Sequence, residues 1–289
     1  MIALRRAGEG DIPAMRAFLE RHAEIAMFPL ANLLNEGLAQ AGADNAPRSL
    51  HAWIAAPDPV TGMVAITDEG MLLPVLPSDV AGHWDAAAPV LRDRRAIGIC
   101  GAAGPARAGL ARLGLSDAIG SPNRDEPHFA LDLDRMEVPD MAGFIVMAPI
   151  DSDRPLLESW RRAYHAEALL TPAAQIETAA RRDISNWLAR DAIRVLLHEG
   201  EVVSMAGLNA EAGDIVQVGG VYTPPALRGR GLARRAVAGV LRDRQMRGAR
   251  RAVLFAASDA AARAYVALGF RRIGDYTLAV FDQPREIAP

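Results

Sequence analysis

A glycine-rich loop carries the strongest chemical signal in the sequence. It reads Arg228-Gly229-Arg230-Gly231-Leu232-Ala233 and runs into an amphipathic segment, 232–247, that predicts a helix. The first turn of a helix has backbone N–H groups without intrahelical partners, at the positive end of the helix dipole. Glycine lets the backbone adopt positive φ and approach a ligand closely, and arginine adds charge-assisted hydrogen bonds. The loop therefore predicts a site for a phosphate group.

The loop by itself leaves other interpretations open. Gly229 and Gly231 fit the first two glycines of the dinucleotide-binding fingerprint, but Arg234 stands where the third glycine belongs. A P-loop is excluded because the sequence contains no lysine. A tight turn that only begins a surface helix is the structural alternative.

Two segments resemble motifs of the GCN5-related N-acetyltransferase (GNAT) superfamily. Residues 221–233, Val-Tyr-Thr-Pro-Pro-Ala-Leu-Arg-Gly-Arg-Gly-Leu-Ala, are similar to its acetyl-CoA motif, in which Arg/Gln-x-x-Gly-x-Gly/Ala follows the central strand. Residues 264–270, Ala-Tyr-Val-Ala-Leu-Gly-Phe, are similar to the family's last helix and its Tyr-x-x-Leu-Gly-Phe ending. One helix and one strand separate the two motifs, as in the family. The resemblance covers roughly Gly143 to Phe281.

The resemblance implies roles for individual residues. The strand before the loop pairs with the pantetheine arm of acetyl-CoA, and the loop N–H groups hold the pyrophosphate. Tyr265 matches the tyrosine that protonates the departing CoA thiolate; an ordinary tyrosine has a pKa of about 10 and is a proton donor at neutral pH. Ser258 stands where the family often has asparagine, and it can still donate a hydrogen bond. The expected cofactor-binding residues are Val221, Tyr222, Thr223, Arg228, Gly229, Arg230, Gly231, Leu232, Ala233, Arg234 and Ser258.

The implied reaction is direct attack of a primary amine, in a small molecule, an amino acid or a peptide, on acetyl-CoA. A protonated amine is not a nucleophile, so a group must take a proton. Gln217 on the central strand cannot do so. The candidates are Asp214, Glu211, Tyr164, His165 and Glu167, and for each a solvated helix face or turn is the alternative.

The pattern of elements predicts two related halves. The order strand, two helices, three strands, helix, strand, helix, strand occurs twice. We expect an α/β (α+β) chain of two tandem GNAT-like units, each with a mixed, mostly antiparallel sheet flanked by helices. Residues 1–137 form the degenerate unit, which lacks an Arg-x-x-Gly-x-Ala loop, and residues 138–289 form the unit with the acyl-CoA site. One active site per chain follows.

Several boundaries are predicted from turn and capping signals. A strand is expected at His51–Ala56 with a turn at Asp58-Pro59, and helices at Phe28–Ala39 and Leu156–Leu170. The tail Phe270–Phe281 is expected to supply two strands broken at Gly274-Asp275.

Composition excludes several classes of protein. The 289 residues carry a net charge of -3, which argues against binding to nucleic acid or a membrane surface. Cys100 is the single cysteine, so no intrachain disulfide or cysteine zinc site can form, and no metal is expected. The first residues lack the apolar core of a signal peptide. We expect a cytoplasmic protein, monomeric or homodimeric, and its arginine-rich composition is typical of a GC-rich bacterial genome.

Other conspicuous residues favour structural roles. Cys100 lies in an apolar strand and is interpreted as a core residue, which argues against a covalent acyl-cysteine route. The tryptophans Trp53, Trp84, Trp160 and Trp187 are also expected in the core. The basic cluster Arg242, Arg244, Arg247, Arg250 and Arg251 is expected to be a solvated face.

Two other functions fit the sequence. Many GNAT members use a glutamate on the central strand as the base, where this sequence offers Gln217. The absence of that glutamate and the serine at 258 suit a non-catalytic acyl-CoA-binding module, in which the first half is a partner or regulatory surface. Transfer of a longer acyl or an aminoacyl group is the third hypothesis.

Overall fold

The structure is a computed structural model that describes residues 2–55, 59–118 and 120–288. The chain divides into two units: Met1–Glu126 with Gly274–Pro289, and Pro127–Ile273. Among the described residues, no helix combines the length and apolar character that crossing a bilayer requires.

The predicted order of elements is confirmed in both halves of the chain. The first half contains β1 (Leu4–Arg6), α1 (Ile12–Arg21), α2 (Ala23–Asn35), β2 (Leu50–Ala55), β3 (Gly62–Thr67), β4 (Met71–Val75), α3 (Val80–Leu91), β5 (Arg95–Ala102), α4 (Ala103–Arg112) and β6 (Asn123–Asp132). The second contains β7 (Phe144–Met147), α5 (Arg154–Tyr164), α6 (Ala173–Ala189), β8 (Ile193–His198), β9 (Glu201–Ala212), β10 (Ile215–Tyr222), α7 (Leu232–Met246), β11 (Arg251–Phe255), α8 (Asp259–Val266) and β12 (Arg271–Glu286).

Each unit has a mostly antiparallel sheet with one parallel pair among its described strands. The strand order is β1-β2-β3-β4-β5-β12 in the first unit and β6-β11-β10-β9-β8-β7 in the second. The parallel pairs are β4 with β5 and β10 with β11. A helix connects the two strands of each parallel pair, as such a crossover requires. The expected mixed sheet flanked by helices is therefore present in both units.

Two strands place the unit boundaries away from the predicted division at 137/138. The last strand, β12, pairs with β5 from Tyr276 to Glu286 and so completes the first unit's sheet. Strand β6 pairs with β11 from His128 to Asp132 and so belongs largely to the second unit's sheet. Each sheet thus takes one strand from the other half of the sequence, which strand patterns alone do not specify.

Some predicted elements differ from those observed. The tail is one strand, Arg271–Glu286, and not two, because Gly274 at φ +147° continues the extended chain instead of ending it. The helix expected at Phe28–Ala39 is observed at Ala23–Asn35 and includes Pro29. The helix expected over Leu156–Leu170 changes at His165 to a π-helical turn, His165–Leu169. The strand expected at His51–Ala56 is observed at Leu50–Ala55; Ala56 and Asp58 lie outside the described residues.

The core residues expected from the sequence are buried. All four tryptophans are at most 8 % exposed. Burial raises the pKa of the Cys100 thiol to about 12, so the thiol is not a nucleophile at neutral pH. The basic cluster is the exception to these expectations: Arg244 is buried and pairs with Glu211 and Asp243. Arg247 and Arg251 also have acidic partners, Asp191 and Asp214.

Candidate active site

The glycine-rich loop joins β10 to α7 and presents unpaired backbone N–H groups. A short 3-10 turn, Pro225–Leu227, precedes it, and Gly231 is the N-cap of α7. Gly229 has φ +78° and Gly231 has φ +72°, a region that L side chains rarely adopt. Within the described part of the chain, no hydrogen bond is formed by the backbone N–H groups of residues 229–234. These groups stand at the positive end of the α7 dipole, so the loop has the donors that a pyrophosphate requires.

Arginine side chains surround the loop in different ways. Arg235 braces it, since its guanidinium donates to the carbonyl oxygens of Asp140 (2.8 Å) and Arg230 (3.3 Å). Arg234 is half-buried, and its Nε makes no hydrogen bond within the described residues. Arg230 is exposed. The Arg234 Nε donor and the six backbone N–H groups of residues 229–234 are suited to an anionic ligand. Arg235 was missed from the sequence, where it looks like any helix-surface arginine.

Strands β10 and β11 separate before the loop. Their parallel pairing runs from Ile215 with Arg251 to Val218 with Leu254. Beyond Val218, β10 continues to Tyr222 and pairs only with β9 among the described strands. The edge of β10 that faced β11 is therefore open from residue 219 onward. An extended ligand with amide groups can pair with such an edge as an added strand does.

The distortion of β10 at this point depends on Gly220. Its φ is +59°, and the register with β9 shifts between Gly219 and Tyr222, as at a β-bulge. A Cβ at Gly220 would lie 2.0 Å from the Trp187 ring. The indole of α6 therefore fills the space that a side chain at residue 220 would need.

Gly220→Ala is expected to lower the free energy of unfolding by about 2–5 kcal/mol, because overpacking adds to backbone strain. Gly213→Ala is the matched control: its φ is +58°, and nothing lies within 4 Å of the added Cβ. The control is expected to lose only the strain energy, about 1–2 kcal/mol. Urea unfolding measures both, and equal losses would contradict a role for the Trp187 contact.

Tyr265 and its motif form the end of α8. Tyr265 is 7 % exposed and packs against Phe270, with ring centroids 6.1 Å apart. The backbone N–H groups of Leu268 and Phe270 donate to the Tyr265 carbonyl, and Gly269 has φ +93°. The motif thus ends the helix and fixes the tyrosine backbone. Ser258 is the N-cap of the same helix and accepts the N–H of Ala261 at 3.2 Å, which leaves its hydroxyl hydrogen able to donate.

The remaining expected site residues lie around the end of β10. Tyr222 is its last residue and packs against Trp160 with centroids 5.9 Å apart. The Thr223 hydroxyl is buried and hydrogen-bonded to that of Ser204 at 2.9 Å. Val221 is half-buried, and Leu232 and Ala233 begin α7.

The structure separates the five candidate bases into two groups. Asp214 and Glu211 lie at the other end of β10 from the loop, paired with Arg251 (2.7 Å) and Arg244 (2.9 Å). Glu167 lies at the loop end, where its carboxylate contacts Arg228 at 2.6 Å and the Tyr222 hydroxyl at 3.4 Å. Burial and the Glu167 charge raise the pKa of Tyr222.

The other two candidates flank Glu167 but are engaged elsewhere. His165 is 5 % exposed and uses both ring nitrogens, towards Thr171 Oγ1 (2.8 Å) and Asp183 Oδ2 (3.0 Å). The ring of Tyr164 lies under the Arg161 guanidinium. Arg161 Nε also donates to Asp183 at 2.8 Å, so Asp183 joins α6 to both α5 and the π-helical turn.

Asp183→Asn is expected to lower the free energy of unfolding by about 3 kcal/mol, because it leaves the buried Arg161 without its counter-charge. Burial favours a raised pKa for Asp183, but His165 and Arg161 outweigh it and hold the pKa below its usual range. The stabilisation is therefore complete above pH about 4, the ordinary aspartate pKa, and shrinks as pH falls towards the folded-state value. Glu177→Gln, in an exposed pair with Arg181, is the control and should cost under about 1 kcal/mol. Chemical unfolding at pH 7 and pH 3 measures the difference; a loss that is the same at both would contradict this account.

In the order of elements, the start of α3 in the first unit corresponds to the start of α7 in the second, and it has an acidic cap. Asp79 at φ +40° caps α3, and its carboxylate accepts the Gly82 N–H at 3.1 Å. Strands β4 and β5 also separate, but a Cβ at Gly101 would lie 3.2 Å from the Pro74 ring. A carboxylate at this helix start repels a phosphate.

A cleft of about 580 Å³ in the second unit lies away from the loop. It is bounded by β7 and the C-terminal half of α7, and includes Val146, Gly239 and Met246. Since the loop precedes the N-terminus of α7, the cleft is at the opposite end of that helix.

Comparison with known proteins identifies the second unit. Residues 153–270 match the sequence model of the acetyltransferase (GNAT) family, and this segment includes both the loop and Tyr265. No curated protein matches the sequence. The resemblance inferred from the two motifs is thus confirmed.

Solved structures show the same fold. A Drosophila protein is similar with a TM-score of 0.61 at 11 % identity, over 97 % of this chain and 99 % of its own. A GCN5-related N-acetyltransferase from Sphaerobacter thermophilus has a TM-score of 0.51 at 20 % identity, over 100 % and 96 %. Both matches span nearly the whole chain, so the likeness of fold includes both units. The similarity to the GNAT acetyltransferase family at the level of sequence is limited to residues 153–270.

Proposed function

We propose that this GNAT family member transfers the acetyl group of acetyl-CoA to a primary amine, at one site in its second unit. The observation that carries the proposal is the loop: six backbone N–H groups without partners, at the start of α7 and beside the open edge of β10. Residues 228–234 hold the pyrophosphate, and the backbone of residues 221–223 pairs with the pantetheine arm. Ser258 donates a further hydrogen bond.

Acetyl-CoA supplies an acyl group activated as a thioester. The amine nitrogen attacks the carbonyl carbon, a C–N bond forms, and the C–S bond breaks. The amine nitrogen loses a proton to a base on the acceptor side of the site. Tyr265 donates its phenolic proton to the departing sulfur and then takes a proton from solvent. Tyr265 suits this role because a tyrosine side chain carries a proton that it can donate, and because the Tyr265 backbone is fixed at the end of α8.

The first unit is proposed to be a degenerate GNAT-like copy without a cofactor site. The Asp79 carboxylate supports this, since a carboxylate at the start of α3 repels a phosphate. The chain then has one inactive and one active unit.

The test is a thiol-release assay with acetyl-CoA and a panel of primary amines that includes amino acids, polyamines, amino sugars and peptides. Turnover with at least one amine and none without enzyme is the expected result. CoA binding without turnover on any amine would instead favour a non-catalytic acyl-CoA-binding module.

A further inference from the structure

Glu167 connects the acceptor side of the second unit to the phosphate loop. It stands in the π-helical turn after α5, and its Oε2 lies 2.6 Å from Nη2 of Arg228. Arg228 Nε also donates to the Thr223 carbonyl at 3.0 Å. The two side chains are 44 % and 49 % exposed, so both are open to a ligand. The arginine that the sequence assigns to phosphate therefore has another anion as its partner.

The two ends of this ion pair differ in how they are held. The turn that carries Glu167 is fixed through His165, whose ring nitrogens contact Thr171 and Asp183. The Arg228 guanidinium is exposed at the end of a long side chain, directly before Gly229 and the free N–H groups, where its Nε donates to the Thr223 carbonyl and its Cζ lies 5.6 Å from the centroid of the Tyr222 ring. Arginine binds the pyrophosphate of CoA more strongly than it binds an exposed carboxylate, because the pyrophosphate offers two negative charges and more acceptor oxygens. Of the two partners, Arg228 is the one that can change place.

We infer that Arg228 serves two anions in turn: it holds Glu167 while the donor site is empty and turns to the donor's phosphates when they bind. This releases Glu167, which then binds the ammonium group of the acceptor and takes its first proton. The inference rests on the proposed function and adds three statements to it. Glu167 supplies the carboxylate that binds the acceptor, and the acceptor binds as a cation. The donor binds before the acceptor.

Charge balance supports this exchange. The ion pair is neutral in the empty site. Once Arg228 binds the phosphate, the Glu167 carboxylate lies next to the Tyr222 hydroxyl without its counter-charge. The Tyr222 ring packs on Trp160. A carboxylate in such partly apolar surroundings gains from a cation. Glu167 takes a proton from the ammonium group and passes it to solvent. The neutral amine then has the free electron pair with which it attacks the thioester carbonyl carbon.

Calorimetric titration with CoA tests the exchange without any acceptor. Glu167→Gln should lower the CoA dissociation constant two- to five-fold, because Arg228 no longer has to leave a partner; the gain corresponds to the up to about 1 kcal/mol of an exposed ion pair. Glu177→Gln, the same change in a pair with Arg181, should have no effect. In an Arg228→Gln background, Glu167→Gln should also have no effect on CoA affinity. Unchanged or weaker CoA binding by Glu167→Gln would overturn the inference.

Steady-state kinetics test the acceptor role separately. With an amine substrate from the panel, Glu167→Gln should raise the amine KM at least ten-fold, although CoA binds as well as or better than before. An unchanged amine KM and kcat would overturn it. If wild-type protein does not bind CoA, the proposed function itself fails; if it binds CoA and Glu167→Gln changes nothing, only the exchange fails.

Discussion

Replacing Tyr265 with phenylalanine is expected to lower kcat about 10²–10⁴-fold, the contribution of a general acid, while CoA affinity changes less than two-fold. The phenyl ring keeps the contact with Phe270 and the helix end at Gly269, since neither involves the hydroxyl. What the variant loses is the proton for the CoA sulfur. The thiol-release assay gives kcat, and calorimetry gives the CoA affinity.

Tyr276→Phe is the control for this result. It removes the same hydroxyl from a buried tyrosine in the first unit, which we propose has no site, and should leave kcat within about two-fold. A Tyr265→Phe variant with wild-type kcat would exclude the tyrosine as the acid. A wild-type protein that binds CoA but has no turnover to lose would favour the non-catalytic alternative.

Gly231→Val is expected to weaken CoA binding at least about 100-fold. Valine at φ +72° is strained, and its Cβ would lie 3.0 Å from Nη1 of Arg235, which braces the loop. We therefore expect the loop to change its path. The N–H groups then no longer point to one place, and the loss of two charge-assisted hydrogen bonds costs about 3–6 kcal/mol.

The matched control lies at the other end of the same helix. Gly248 follows α7 at φ +103°, with nothing within 4 Å of an added Cβ, so Gly248→Val introduces backbone strain away from the loop. It should lower stability and leave CoA affinity within about two-fold. Equal CoA affinity in the two variants would contradict the placement of the pyrophosphate at the loop. Titration calorimetry measures both.

The site elements that local rules specify could be predicted from the sequence. Gly229 and Gly231 require positive φ, and the apolar spacing of 232–241 predicts the helix that follows them. The order of strands and helices follows from the same periodicities, which is why it agrees in both halves. These features depend on residues within about one helical turn of one another.

Features that depend on contacts distant in sequence could not be predicted. The pairing of β12 with β5 joins residues about 180 positions apart, and an apolar strand pattern fits several neighbours equally well. The ion pair of Glu167 with Arg228 spans 61 positions. The burial of Arg244 likewise follows from partners on another element, and no helix pattern reveals it.

The most direct test of the central claim is the number of CoA molecules that the full chain binds. Titration calorimetry should give one CoA per chain for the wild-type protein and for Asp79→Asn, and no detectable binding for Gly231→Val. Two CoA molecules per chain, or one that Gly231→Val retains with wild-type affinity, would contradict a single site at the loop of the second unit.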